Sequence, residues 1–416
     1  MEMGANQQEV QSMFVMVRFN RGPYHGAVYK VKLEHGESGE ASAGAEVESS
    51  LPVLNPVSTF FDKSFELPKN CLFEGARFGS KLYLMANGHG SPCKPVTTVN
   101  SFVCDMNSSS DLQQFSPPKA AKPFGAVISA YGMLYYFAHP SSSPHIPDPS
   151  FERYNPTTNL WESLPSYPYK TLPKPCMEVV GYAVCYGYIL FSMYNRKECA
   201  VLAFHIGTEK WHQVKITNPS EASSYYPFLG RAVVVDNIIY APSFFPDEVI
   251  AFSFWRDSDH NCFLGTPLPL MVMDTPHPPS PLMGRITKNL VHLGMLHFCL
   301  VQTGRNQCSV EHQYLCITTF RILREEGGMD VRTLRSSVFQ VGMMGSGAFH
   351  VNFSFTPDCE DIEPEEQYCP TAPAGSKSES ALTSEEKGNK DHCRWDVATG
   401  KQEDFFSIPT KPLIPS

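Results

Sequence analysis

Apolar positions along this chain fall into short runs separated by turn residues, and the runs recur in a fixed order. An apolar run is followed by a tight turn and by a second run rich in Tyr, Phe, Ile and Leu. A variable loop, a third run, a polar turn and a short last run complete the unit. The repeat is about 45–55 residues long, the period of a propeller blade. The clearest unit, Phe124 to Pro165, reads FGAVISA, GMLYYFA and FERYNPTTNLWESLP. The next, Met177 to Asn218, reads EVVGYAVC, GYILFSM and CAVLAFHIGTEKWHQVKI. A third spans Gly230 to Leu264 (RAVVVDNIIYAP, then EVIAFSFWRDSDHNCFL). Weaker copies begin near Phe73 and Asn289, and a degenerate one begins near Val338 and ends with HCRWDVATGKQEDFFSIP. Ahead of them, MFVMVRFN and GAVYKVKL form one more hairpin.

Period-2 patterning with β-branched and aromatic residues predicts strands throughout. The inner runs are apolar at consecutive positions, as strands buried on both faces must be. No stretch has helical periodicity with caps. The expected fold is all-β, a propeller of four-stranded antiparallel blades whose faces bury one another. Seven blades are expected, with six the alternative.

Two segments, 34–50 and 359–391, are rich in Glu, Ser, Gly and Ala and poor in apolar groups. They are read as flexible insertions, because they bury too little surface to offset the entropy of ordering. The predicted organisation is a flexible 1–11, one propeller over 12–408 with those two insertions, and a flexible tail, 409–416.

Charge narrows the functional classes. The net charge is −9 and the pI about 5.9, whereas a general nucleic-acid binder carries a basic excess. The N-terminus MEMGANQQEVQ has neither the basic nor the apolar region of a secretory signal. No apolar stretch is long enough to span a membrane as a helix. The 13 Cys are scattered without any CxxC pair, which fits buried thiols in a reducing compartment. The chain is therefore expected to be a cytoplasmic or nuclear monomer that binds neither nucleic acid nor membrane. The sequons at Asn107 and Asn352 carry no meaning in that setting.

Two units share a more specific signature: Tyr154 and Trp161 in YNPTTNLW, and Phe204 and Trp211 in FHIGTEKW. The aromatic ends a third strand, Asn-Pro or Gly-Thr makes the turn, and the Trp packs back on the sheet. In this the chain resembles the kelch repeat, particularly that of plant F-box/kelch-like proteins. The resemblance implies a kelch-type propeller. It departs from the family in lacking Gly-Gly doublets after the second strands, where MANGHG, YFAHPS, SMYNRK and YAPSFF stand. Near the C-terminus, WDVATGKQ places Gln402 where the Trp would be, and in EVIAFSFWRDSDHNCF the spacing has drifted. An F-box is expected to be absent, since the nearest Leu-Pro, Leu51-Pro52, leads into VLNPVSTFF and no amphipathic helix.

Catalytic and metal motifs are sparse. Cys359, Cys369, His392 and Cys393 match no zinc spacing, and His292 and His297 fall on opposite faces of a strand. GMMGSGAF has glycines without the Ser spacing of a nucleophile elbow, lacks the Lys-Ser/Thr ending and following helix of a phosphate loop, and reads as a turn. No cofactor and no metal site is expected.

The stronger lead is topological. In a four-stranded blade, the loop between second and third strands shares one propeller face with the link to the next blade. The long loops, NGHGSPCKPV, AHPSSSPHIPDPS, PSYPYKTLPKP, NPSEASSYYPF and TPLPLMVMDTPHPPSPLMG, fall in these two classes. That face is expected to gather Tyr167, Tyr169, Tyr225, Tyr226, His89 and His139. Arg77 and Arg231 are placed near the starts of inner strands, at the channel mouth. Aromatic and Arg side chains on loops of a rigid scaffold are common interface anchors. The expected function is non-catalytic binding of a protein or peptide through this face. The alternatives are an adaptor in ubiquitin-dependent turnover and a propeller enzyme acting on a small molecule at the central channel.

Overall fold

The computed structural model describes residues 11–19, 26–33, 51–60, 72–87, 99–106, 109–122, 125–139, 146–168, 178–195, 198–217, 228–245, 247–273, 275, 282–306, 313–325, 328–341 and 349–356. Contacts divide the chain into Met1–Ala372 and Pro373–Ser416, and the second unit lies wholly outside the described residues, as do both predicted insertions.

Among the described residues the secondary structure is entirely β. Blade I comprises β5 (Leu72–Phe78), β6 (Lys81–Asn87), β7 (Val99–Asp105) and β8 (Ser109–Gln114). Blade II comprises β9 (Ala126–Ala130), β10 (Met133–Phe137), β11 (Phe151–Asn155) and β12 (Leu160–Ser163). Blade III comprises β13 (Glu178–Cys185), β14 (Tyr188–Asn195), β15 (Glu198–His205) and β16 (Lys210–Ile216). Blade IV has β18 (Val233–Val235), β19 (Ile238–Pro242) and β20 (Glu248–Arg256), with a split outer strand, β21 (Cys262–Leu264) and β22 (Leu268–Met271). The short β17 (Gly230–Arg231) precedes it and pairs parallel with β13. Blade V comprises β23 (Leu282–Gly294), β24 (His297–Asn306), β25 (Gln313–Glu325) and β26 (Gly328–Val341), with β3 (Val53–Leu54) on its edge.

Blade VI closes the ring from both parts of the chain. Its inner strand, β27 (Phe349–Phe355), pairs with β1 (Gln11–Phe19), which leads to β2 (Gly26–Leu33) and β4 (Pro56–Phe60). The described strands thus make six blades, where the repeat count favours seven. The difference arises at the ends: the N-terminal hairpin and β27, the described strand of the degenerate C-terminal unit after Val338, stand in one blade. Val338 does not open that unit but lies in the outer strand of blade V.

The core lies in the seams between blades. Ala76, Tyr83 and Met85 of blade I meet Val127, Leu134 and Tyr136 of blade II. Phe137 and Phe151 of blade II meet Phe191 and Phe204 of blade III. At the closing seam, Met16 and Val28 of blade VI meet Leu82, Leu84 and Phe102 of blade I. Each buried side chain of this size contributes about 1.5–3 kcal/mol.

The hairpins follow local chemistry. Tyr131-Gly132, Tyr186-Gly187 and Asp236-Asn237 all have positive φ at both positions, the mirror-image turn that matches strand twist. The two aromatic pairs singled out by sequence sit directly across from each other. Tyr154 faces Trp161 with ring centroids 5.1 Å apart, and Phe204 faces Trp211 at 5.0 Å. Each indole N–H donates to a carbonyl in the link before its blade, Trp161 to Ser116 at 2.7 Å and Trp211 to Pro165 at 3.0 Å. Blade IV keeps this pair with the residues exchanged: Trp255 on β20 faces Phe263 on β21, stacked at 5.8 Å.

Candidate functional site

Two lysines are buried at the loop end of the blade seams, and their surroundings differ. Lys122 and Glu152 are fully buried and form an ion pair. Glu152 also accepts from the backbone N–H groups of Lys119 at 2.8 Å and Ala120 at 3.3 Å. The Lys122 ammonium lies over the Tyr136 ring at 4.7 Å, and the Tyr136 hydroxyl donates to Asn87 at 2.7 Å. Burial lowers the Lys122 pKa and Glu152 opposes that shift. The charge is matched inside a closed network, so this knot fixes the link into blade II.

Lys288 has a different setting. It lies on β23 facing blade IV, is 6% exposed, and its ammonium donates to the carbonyl oxygens of Ser243, at 3.0 Å, and Phe245. Desolvation pushes its pKa down to about 8, against the pull of the nearby Asp247 and Glu248 charges. These two carboxylates stand where the loop after β19 turns into β20. Asp247 has left-handed backbone (φ 59°), which Asp tolerates better than most residues. Its Oδ1 accepts from Gln302 Nε2 of blade V at 3.4 Å. Glu248 is 6% exposed, and its Oε1 is buried without a hydrogen-bond partner. Such an atom retains the cost of its lost hydration.

Aromatic surface stands beside these groups. Phe244 and Phe245 are 48% and 43% exposed, with ring centroids 6.3 Å apart in an edge-to-face arrangement. Met271 is paired opposite Glu248, and both it and Met273 are exposed. One corner of the loop-rich end therefore presents an ammonium, two carboxylates, backbone carbonyls and exposed rings. Among the described residues, no group of three or more His, Cys, Asp or Glu side chains is arranged to hold a metal. Cys359, Cys369, His392 and Cys393 lie outside the described residues.

The residues proposed from sequence are not gathered into this corner. Tyr167 is only 2% exposed, packed edge-to-face on Phe137 at 5.4 Å and Trp211 at 5.1 Å, with its hydroxyl on Met193. It is a core residue because the Pro-rich link folds into the seam between blades II and III. Arg77 stands near the end of β5, at the turn end of the propeller, where it donates to Gly79 O at 2.8 Å and Thr356 O at 2.5 Å. The expected place near the start of an inner strand is thus corrected: Arg77 is next to last in β5. Arg231 does stand where blade IV begins, half-buried and paired with Tyr182. His139 accepts from the Val179 N–H at 3.0 Å through Nε2, joining blades II and III. Tyr169, Tyr225, Tyr226 and His89 lie outside the described residues.

Sequence reasoning missed Lys288 and the Phe244–Phe245 pair. The signals were a lysine inside the inner-strand run RITKNLVHL and adjacent aromatics in the loop APSFFPDE. The supposed link TPLPLMVMD also contains a strand, β22, that pairs with β20.

Similarity to solved structures is at the level of the propeller fold. YjhT matches with 12% identity and a TM-score of 0.34, over 64% of this chain and 94% of that one. The endosialidase of phage phi92 matches with 10% identity and a TM-score of 0.32, over 81% and 57%. An α-L-arabinanase mutant from Cellvibrio cellulosa matches with 10% identity and a TM-score of 0.30, over 62% and 93%. The expectation of a non-catalytic interaction module, and of a chain that is not an enzyme, is corrected by these findings. A propeller fold by itself does not decide between binding and catalysis, so the architecture gives no ground for that expectation. No curated protein matches the chain. A family model described as "Protein of unknown function (DUF1668)" matches residues 11–339, and the chain belongs to that family.

Proposed function

We propose that this propeller is an enzyme that cleaves a C–O bond in a hydroxyl-rich small molecule of saccharide type, at the corner built by Lys288, Asp247 and Glu248. The observation that carries this reading is the nearly buried Lys288 ammonium, held by the Ser243 and Phe245 carbonyls near Asp247 and Glu248, where burial pushes its pKa down to about 8. A general acid or base works best when its pKa lies near the working pH. In the proposed step the ammonium gives its proton to the departing oxygen as the C–O bond breaks, and a carboxylate takes one from the water that attacks the carbon. The protonated carboxyl then releases its proton to solvent and the Lys288 amine takes one back, which restores both groups. Phe244 and Phe245 supply an apolar platform for the C–H face of a sugar ring, and Ser243 and Asp247 supply acceptors for its hydroxyls.

The test is release of reducing ends from a panel of oligosaccharides by the wild type, Lys288→Met and Glu248→Gln. Turnover by the wild type with a loss of at least 100-fold in both variants supports the reading. A panel that neither turns over nor raises the melting temperature overturns it.

The cross-strand pairs Tyr154–Trp161 and Phe204–Trp211, with the exchanged pair Trp255–Phe263, support the further reading that these blades are divergent kelch repeats.

A further inference from the structure

At the opposite, turn end of blades III and IV, basic and aromatic side chains converge on one ring. Tyr188 begins β14. His205, which ends β15, packs against it with ring centroids 4.6 Å apart, and His212 of β16 packs edge-to-face at 5.9 Å. From blade IV, the Arg256 guanidinium lies 5.7 Å from the same ring, and its Nη1 donates to the Tyr188 hydroxyl at 3.2 Å. Exposed Lys210 at the start of β16 and exposed His260 in the turn between β20 and β21 lie near enough to act electrostatically on His212. Four elements thus bring five basic side chains to the end of one seam.

Three acidic groups stand nearby: Asp259 is exposed beside His260, and the other two have partners of their own. Glu209 binds Arg153 of blade II at 3.1 Å. Asp257 accepts from Asn261 N at 2.8 Å, Asn261 Nδ2 at 2.7 Å and Asp259 N at 3.0 Å within its own turn. Those bonds, the Asn261 side chain's first, hold its pKa below the usual carboxylate value. The field on His212 is set by cations: after desolvation, His205, Lys210, Arg256 and His260 all disfavour its protonation. The His205 ring is held in place by its Nδ1, which accepts from the Thr208 N–H at 3.1 Å.

We propose that this cluster is a binding site for a doubly charged tetrahedral oxyanion of the phosphate or sulfate type, held by Arg256, Lys210, His260 and His212. The Arg guanidinium offers paired donors matched to such an oxyanion. Protonation of His212 adds a charge to the site as the pH falls, so the anion binds more tightly in acid. The site is remote from the Lys288 corner and stands apart from the catalytic reading.

Tryptophan fluorescence reports the test, since Trp211 is the neighbour of His212. Sulfate is the probe for pH dependence because its charge stays at two across the range. Saturable sulfate binding by the full chain at low ionic strength should tighten about five- to tenfold between pH 8 and pH 5.5. His212→Gln should reduce that dependence, and Arg256→Gln should weaken binding at least tenfold. Exposed Lys210→Gln, which leaves the packing intact, should weaken it severalfold. Phenyl phosphate run beside inorganic phosphate distinguishes a phosphoryl group carried on a larger molecule from free phosphate: tighter phenyl phosphate binding indicates the former, equal binding the latter. Absence of saturable binding by any of these anions at pH 5.5 overturns the proposal. So does binding unchanged in all three variants.

Discussion

The Lys288 ammonium donates to the carbonyl oxygen of Ser243 across the seam between blades V and IV, at 3.0 Å. That bond holds a cation against neutral acceptors in a nearly dry place. Lys122, fully buried, pairs with a carboxylate instead. The contrast separates a matched structural pair from a group whose proton is poised for exchange, and two of the expectations below follow from it.

Lys288 makes stability pH-dependent in a definite sense. Its pKa is about 8 in the folded chain against 10.5 ordinarily. Between those values the unfolded chain binds more protons, so wild-type stability rises with pH through that window. Relative to Lys288→Met, the wild type should gain on the order of 3 kcal/mol between pH 8 and 10.5. Urea denaturation of both proteins at pH 7.5, 9 and 10.5 measures the difference.

Glu152→Gln should destabilise the chain by roughly 3–5 kcal/mol, because it leaves the Lys122 charge buried and unmatched. Lys122→Met combined with Glu152→Leu should recover most of that loss. Denaturant midpoints of the single and double variants check the relation.

Trp211→Ala should cost about 3–5 kcal/mol, since its ring packs on Phe137, Phe151, Phe191 and Phe204. Trp211→Phe keeps an aromatic ring but loses the bond to Pro165, and should cost about 1–2 kcal/mol. Thermal unfolding of the two variants gives the comparison.

Ring closure should be sensitive to Phe355, whose ring stacks on Phe14 at 5.4 Å. Phe355→Ala should cost about 3–5 kcal/mol. It should also speed amide exchange in β1 and β27 before other strands, as measured by hydrogen exchange with mass spectrometry.

Much of this architecture is legible in the sequence because blades are local. Each hairpin and each Tyr/Phe–Trp pair is specified within one repeat, as Tyr154–Trp161 shows. Closure is not local: Val15 pairs with Ser354 across nearly the whole described chain, so the two parts of blade VI read as separate units. Side-chain burial in links is equally hidden. Tyr167 reads as a loop residue, yet the link turns it into the core. Lys288 reads as a solvent-facing charge, and its role depends on blade IV meeting it across the seam. The candidate site was therefore not legible in the sequence.

Nuclear magnetic resonance of ε-carbon-labelled lysine, with the Lys288 signal assigned by its loss in Lys288→Arg, tests the central claim most directly. The account predicts a Lys288 titration near pH 8 that moves when a bound oligosaccharide is added. A titration at the ordinary lysine value, with no response to any saccharide, would contradict it.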